Sequence, residues 1–424
     1  MTINTQTSLN KVSRRRWVVF AFIASGYLLA FMQRTGPGVI ADHLQHQFAV
    51  SAMVLGTMAS VQYFLYMVLQ IPVGLSGDNV GPERLFVAGL LLDGLGTLLF
   101  SHATSFTELL IGRGVVGMGD ALIWVNIVLI LGKWFLPREF GALLGMASTA
   151  GNLGALLTTI PFAAWVNTAG WRGPFTTLGA LLVINSVAAY FLLLGRTWPW
   201  RKRDSTSMQH LHIAKIPVWR TLQLVVKDRV AWATFACHFG AMGTYIGFVS
   251  LWAIPLFMST YGLGRAGAAQ FTLWGFSGAL LGGPVMGFLS DRFGQRRIPY
   301  IVIQLTSFLA WFSMVLFRAH PPQSLAYVLM FVVGFGCGGS LLTFATIRDL
   351  TPPRRAGVTS GFANTGGFLS AVLLPVLFGT VIDMVGKSQF GFTMALWVPT
   401  AFAFVGVVGS MLIPKQSARA PQQS

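Results

Sequence analysis

Five ionisable side chains stand inside apolar runs long enough to cross a bilayer: Arg34, Asp93, Arg113, Asp120 and His238. A charge at membrane depth costs several kcal/mol unless it is paired or wetted, so each one is a candidate for function. Arg34 lies 17 residues beyond Trp17, a rise of roughly 25 Å, which places it in the outer half of its span. Arg113 stands about seven residues into an oppositely directed span, at a similar level. Asp120 follows Arg113 by seven residues, nearly two helical turns, so the two share a face. Their separation along the axis, roughly 10 Å, is too long for a direct bond without reaching. Tyr27, Arg34 and the Pro37/Gly38 pair form a matching stripe, and Trp124 extends the stripe of Asp120. Two guanidiniums and one carboxylate sharing a wet pocket carry one net positive charge with Asp120 ionised and two with it protonated. Such a pocket attracts an anion, and Arg34 is expected to read an anionic substrate group. The alternative is a structural network in which Arg34, Arg113 and Asp120 hold the first and fourth spans together.

The elements that must position these groups follow from composition. Of 424 residues, 54% are hydrophobic and 10% charged, against about 25% charged in a soluble chain. Apolar stretches of about 20 residues recur along the whole length, each able to cross a bilayer as a helix. They predict helices near 17–40, 53–76, 85–101, 106–131, 139–163 and 173–195. A second set follows near 230–258, 266–289, 298–318, 324–347, 356–382 and 391–413. The fold class expected is an all-α membrane protein with twelve transmembrane helices. Its organisation is a tail at 1–16, a six-helix bundle at 17–195, a polar linker at 196–229, a second bundle at 230–413 and a tail at 414–424. Within the linker, "IPVWRTLQLVVKD" (216–228) is patterned as an amphipathic helix on the membrane surface.

A net charge of +17 invites a nucleic-acid reading, but the positions of the charges exclude it. With both termini on one side, that side holds 23 of the 29 lysines and arginines. The opposite loops hold only Arg172, Arg265, Arg318 and Lys387. This asymmetry is the positive-inside pattern, and it puts both termini in the cytoplasm of a plasma or inner membrane. The only cysteines, Cys237 and Cys337, lie in apolar runs and read as packed thiols. The basic start and first apolar run imitate a signal peptide, but the run is too long for one and completes the first set of six.

The two halves echo each other. "GLSGDNVG" (74–81) precedes "GFLSDRFG" (287–294) by 213 residues, and "PREFGALLGMASTAG" (137–151) precedes "PRRAGVTSGFANTGG" (353–367) by 216. A shared offset of half the chain implies a duplicated six-helix unit. At Asp291 a carboxylate stands at the cytoplasmic end of its helix, followed by Arg292, Arg296 and Arg297; the first-half copy carries Asp78. Such a group can cap a neighbouring helix or pair with a base, latching helices in one state. The simpler alternative is that the arginines only hold the loop inside.

"GFLSDRFGQRR" (287–297) and "GRGVVGMG" (112–119) resemble the loop signature and the helix 4 arginine motif of the major facilitator superfamily, with Arg113 as that arginine. The first-half loop copy departs, with Asn79 in place of a basic residue. The resemblance covers the whole chain. It implies two six-helix bundles with a central site that opens alternately to each side, and it strengthens the latch assigned to Asp78, Asp291, Arg292 and Arg296. A narrower resemblance, Arg34 together with Arg113-x6-Asp120 and "FACHFGAMGTYIGFVSLW" (235–252), points to the anion:cation symporter branch. Relatives there move organic anions, several with protons. Galactonate-type members have an acid where this chain has Gln33, and vesicular glutamate types have a further arginine where "HFGAMGTY" has none. The first departure speaks against a two-proton mechanism, and the second against a strongly charged dianion such as phosphate.

Other polar and aromatic side chains join the expected substrate site: Tyr27, Gln62, Tyr66, Trp124, Asn152, Tyr245 and Asn364, with Trp252 and Phe368 beside them. Helix–helix hydrogen bonding is the competing role for each. Asp93, flanked by Gly89 and Gly96, reads as a structural carboxylate with proton relay as the alternative, and His238 as a packed histidine or a proton switch. No nucleotide loop, zinc cluster or nucleophile elbow occurs, so no enzyme activity and no cofactor are expected. The expectation is a monomeric secondary transporter in the lipid bilayer, importing a small organic anion with a proton through Asp120 and Arg113. The rival readings are proton-driven efflux of lipophilic compounds, uniport of neutral or zwitterionic solutes, and a non-transporting membrane sensor.

Overall fold

The computed structural model describes residues 3–135, 137–194, 223–293 and 295–414, and among them the chain is helical with no strand. Most of the linker, and with it the greater part of the amphipathic helix expected at 216–228, lies outside the described residues. Among the described residues, ten helices are long and apolar enough to cross a membrane, or eleven when the bent pair Arg229–Val249 and Ala253–Tyr261 counts as one span. The expected fifth span is helical over Pro137–Leu157 and again over Ile160–Ala169.

In chain order the principal helices are α1 (Ile3–Thr35), α2 (Ala52–Val80), α3 (Pro82–His102), α4 (Phe106–Trp134), α5 (Pro137–Leu157) and α6 (Arg172–Leu194). They continue with α7 (Arg229–His238), α8 (Arg265–Arg292), α9 (Arg297–Leu316), α10 (Gln323–Gly339), α11 (Pro353–Val385) and α12 (Trp397–Leu412). The sequence repeat is visible here: α2 begins at Ala52 and α8 at Arg265, while α5 and α11 both begin at the proline of the shared motif.

Packing divides the chain into two compact units, Met1–Gly36 with Leu65–Arg203, and Pro37–Phe64 with Asp204–Ser424. In the first, α3 and α4 lie close because small residues face each other. A Cβ on Gly96 would fall 2.8 Å from the Gly112 carbonyl oxygen, and one on Gly89 2.9 Å from that of Gly119. In lipid, such backbone contact supplies the packing energy that hydrophobic burial supplies in water. Ser105 caps α4 by accepting from the Glu108 N–H, and Glu108 accepts in return from the Thr104 N–H at 2.6 Å. At the opposite end of the unit Arg16 grips Glu139 with two nitrogens, at 3.0 and 3.2 Å, tying α1 to α5.

The second unit takes in the segment 37–64. Gly38 abuts the Val249 and Ser250 carbonyls, and Ser60 donates to the Val372 carbonyl at 2.5 Å. Asp383, near the end of α11, accepts from the first two N–H groups of α2, Ala52 at 2.8 Å and Met53 at 2.7 Å. Arg265 meets both oxygens of Asp42, at 2.8 and 2.7 Å. The span that starts with α7 is interrupted by a π-helical turn at Phe239–Gly243 before resuming at Thr244–Val249. Such turns recur at functional sites.

Candidate functional site

The charges of the first unit converge where α1, α3 and α4 meet. Arg34 in the last turn of α1 turns its edge to Asp120 on α4: Nε donates to Oδ2 at 3.2 Å and Nη2 to Oδ1 at 2.7 Å. Both residues are buried, Arg34 at 7% and Asp120 at 1% exposure. The planar fork of an arginine matches a carboxylate in this two-point manner, and a lysine does not. The guanidinium also lies over the Phe31 ring, 4.6 Å from its centroid, and over Tyr66 at 5.4 Å. Aromatic faces carry negative charge density, so both rings lower the cost of holding the cation there.

Arg113 stands on the same face of α4, seven residues before Asp120, and meets Gln33 on α1. Its Nη1 donates to the side-chain oxygen of Gln33 at 3.0 Å and to the Gln33 carbonyl at 3.3 Å. Gln33, noted in the sequence only as the residue replacing an acid, thus serves as a neutral acceptor for this arginine. Tyr27 stacks on Trp124 with centroids 5.1 Å apart and meets Phe31 edge-on at 4.8 Å. Gly151 on α5 packs against the Tyr27 ring, and Asn152 beside it is half-buried. Thr35 and Thr158 bond hydroxyl to hydroxyl at 2.7 Å, joining the end of α1 to the break after α5. Neither threonine stood out in the sequence, since a lone hydroxyl in an apolar run commonly bonds its own helix backbone, as Thr35 also does to the Phe31 carbonyl.

In the second unit the candidates are spread over several helices. Gln62 is fully buried on α2. Tyr245 is buried with its ring edge-on to Phe276 at 6.0 Å. Trp252 donates its indole N–H to the Pro375 carbonyl at 2.9 Å and stacks on Phe378. Phe368 lies 6.4 Å from Tyr63, and Asn364 is half-buried on α11. His238 is buried, with Nδ1 3.3 Å from the Thr343 hydroxyl, which also bonds Tyr300.

For the expected latch, the side chains of Asp78 and Asp291 lie outside the described residues. Arg292 is exposed. Arg296 is buried and donates from Nε to Asp349 at 2.9 Å and from Nη1 to Ser290 at 3.0 Å. Asp349 went unremarked in the sequence, because its neighbour Arg348 makes it look like an ordinary surface pair.

A family model described as Major Facilitator Superfamily matches residues 23–283 and 253–424. The chain belongs to the Major Facilitator Superfamily, and it is a multi-pass membrane transporter rather than an enzyme. Its similarity to individual members is distant. It is 22% identical to the probable galactarate/D-glucarate transporter of Bacillus subtilis, over 96% of this chain and 93% of that one. It is 22% identical to the D-galactonate transporter of Escherichia coli O6:H1, over 95% and 96%. The probable sulfoacetate transporter of Cupriavidus necator is 23% identical over 94% of each. Among solved structures, it shares the fold of a bacterial homologue of the human lysosomal transporter Spinster, captured inward-facing and unoccupied. The TM-score is 0.76 at 17% identity, covering 94% of this chain and 98% of the other.

Proposed function

We propose that this protein imports a small organic anion together with a proton, by alternating access, and that Arg34 is the residue that grips the anion. The observation that carries the reading is the two-point bond between Arg34 and Asp120. A carboxylate or sulfonate on the substrate needs the same guanidinium edge that Asp120 occupies. Substrate and Asp120 therefore compete for one cation. A proton on Asp120 removes its charge, weakens its hold on Arg34 and frees the fork for the anion. By linkage, the bound anion in turn favours the proton on Asp120. Proton and anion then bind together, which is the requirement of symport. Arg113, held by Gln33, stays as a second positive group and keeps the neighbourhood attractive to anions after Arg34 is engaged.

The named substrates of the relatives, galactarate, D-glucarate, D-galactonate and sulfoacetate, support a small anion of this kind. Tyr27, Tyr66, Trp124 and Asn152 in the first unit, and Gln62, Tyr245 and Asn364 in the second, are the side chains proposed to contact its uncharged part. Arg296, with Arg292, Asp78 and Asp291, is proposed as the latch of one conformational state. The protein is proposed to act as a monomer in the inner membrane with both termini in the cytoplasm, in keeping with the loop charges.

The test is a thermal-shift screen of the purified protein against galactarate, D-glucarate, D-galactonate and sulfoacetate, with neutral sugars, peptides and lipophilic cations as controls. A ligand at 100 times its Kd adds about 2.7 kcal/mol of stability. Stabilisation by an anion, larger at lower pH, is the expected result. Stabilisation by lipophilic cations alone, or by anions equally well in Arg34→Ala, contradicts the reading.

A further inference from the structure

We infer that Asp93 is a second proton-binding carboxyl of the first unit, set beside Asp120 across the contact between α3 and α4. The inference rests on the proton-coupled reading above and extends it to a residue that reading does not use.

Asp93 is fully buried in the middle of α3, and no side chain among the described residues donates to its carboxylate oxygens, which lie beside the Asp120 backbone N–H. The nearest hydroxyl, Thr97 Oγ1, turns to the backbone carbonyl of Asp93 at 2.6 Å and not to its side chain. The carboxyl fits against α4 because residue 119 is a glycine: a Cβ there would fall 2.5 Å from Asp93 Oδ1. The next residue along α4 is Asp120. One carboxyl of the cluster is thus held by a guanidinium, and the other is pressed against the adjacent peptide, beside the Asp120 backbone N–H, while the guanidiniums that face it bond elsewhere.

The ionisable groups that face Asp93 are Asp120 and Arg113 on α4, Arg34 on α1 and Tyr66 on α2. Arg34 gives its edge to Asp120, and Arg113 donates to Gln33. On α6, the other helix packed on α3, Val183 and Gly179 line the contact at Gly94, and Arg172 is far along the helix, bound to the Ser101 and Ala103 carbonyls. A carboxylate buried there without a cation bonded to it costs several kcal/mol, whereas the neutral acid does not. A second consequence is electrostatic. With Asp93 neutral, Arg34, Arg113 and Asp120 sum to one positive charge. With Asp93 ionised the sum is zero, and the attraction for an anion is gone. A proton on Asp93 therefore acts in the same direction as one on Asp120, and α3 offers the second proton place that Gln33 on α1 does not supply.

Infrared spectroscopy of purified protein over a pH series tests this without any substrate, so its outcome is separable from the identity of the anion. The wild type should show a protonated-carboxyl C=O band at neutral pH that Asp93→Asn abolishes. In Asp120→Asn, loss of the neighbouring negative charge should move the midpoint of that band down by about one pH unit or more. Should Asp93→Asn fail to fold, Asp93→Glu keeps the acid and must shift the band position. A spectrum with no band dependent on residue 93, or a midpoint indifferent to Asp120→Asn, overturns the inference.

Discussion

Arg34 meets Asp120 edge-on, with Nε 3.2 Å from one carboxylate oxygen and Nη2 2.7 Å from the other. The two residues are 86 positions apart in the chain, and in the proposed mechanism the pair is what a substrate anion has to displace. The proposed chemistry of the carrier follows from that competition.

Arg34→Ala should weaken binding of whichever anion stabilises the wild type by about 30-fold or more, the effect of losing a buried charge partner worth about 2 kcal/mol or more. Arg34→Lys should rescue poorly, since an ammonium cannot present two parallel donors. Isothermal titration of both variants checks this, and wild-type affinity in Arg34→Ala contradicts it.

The same pair predicts a stability pattern. Arg34→Met alone strands Asp120 in an apolar setting and should lower Tm. The double change Arg34→Met with Asp120→Leu should recover most of that loss, because a buried ion pair is often replaceable by packed apolar side chains. It should bind no anion. A double variant less stable than the single one contradicts the pattern.

Gln33 is predicted to act through Arg113, whose Nη1 it receives at 3.0 Å. Gln33→Leu leaves that arginine without its side-chain acceptor and should reduce both stability and anion affinity, by about 1–3 kcal/mol in stability. Gln33→Glu should restore stability but lower anion affinity, since it adds a negative charge to the cluster. Thermal melts and titrations of the two variants separate these effects.

Asp383 accepts from the first two N–H groups of α2. Asp383→Ala should cost about 1 kcal/mol, as the loss of a helix N-cap does. Asp383→Asn should cost less, since the amide oxygen still accepts. Equal melting temperatures for wild type and Asp383→Ala would show that this cap contributes nothing.

Much of this architecture is legible in the sequence because lipid imposes simple rules. Ten of the expected spans, or eleven with the bent seventh, have long apolar counterparts among the described helices, whereas the fifth is broken between Leu157 and Ile160 and the seventh by a π turn and a bend that no residue pattern announces. Gly89, Gly96, Gly112 and Gly119 are readable as a close helix contact, and the structure places α3 on α4 through them. The spacing of Arg113 and Asp120 sets them two turns apart on one face, and the structure gives Asp120 the edge of Arg34 and Arg113 the oxygens of Gln33. What spacing cannot give is which groups meet across helices. Arg34 with Asp120, Arg113 with Gln33, Arg265 with Asp42 and Arg296 with Asp349 are set by tertiary packing between distant segments, and periodicity carries no information about that.

The central claim is that proton and anion are coupled through the shared hold on Arg34, and Asp120→Asn tests it most directly because it mimics the protonated acid. In proteoliposomes loaded with the anion found in the thermal-shift screen, counterflow and uptake driven by a pH gradient are to be measured side by side. Asp120→Asn should still bind the anion and exchange it across the membrane, yet fail to concentrate it when only a proton gradient is imposed. Undiminished accumulation by Asp120→Asn under that gradient would contradict the account and take the coupling away from Asp120.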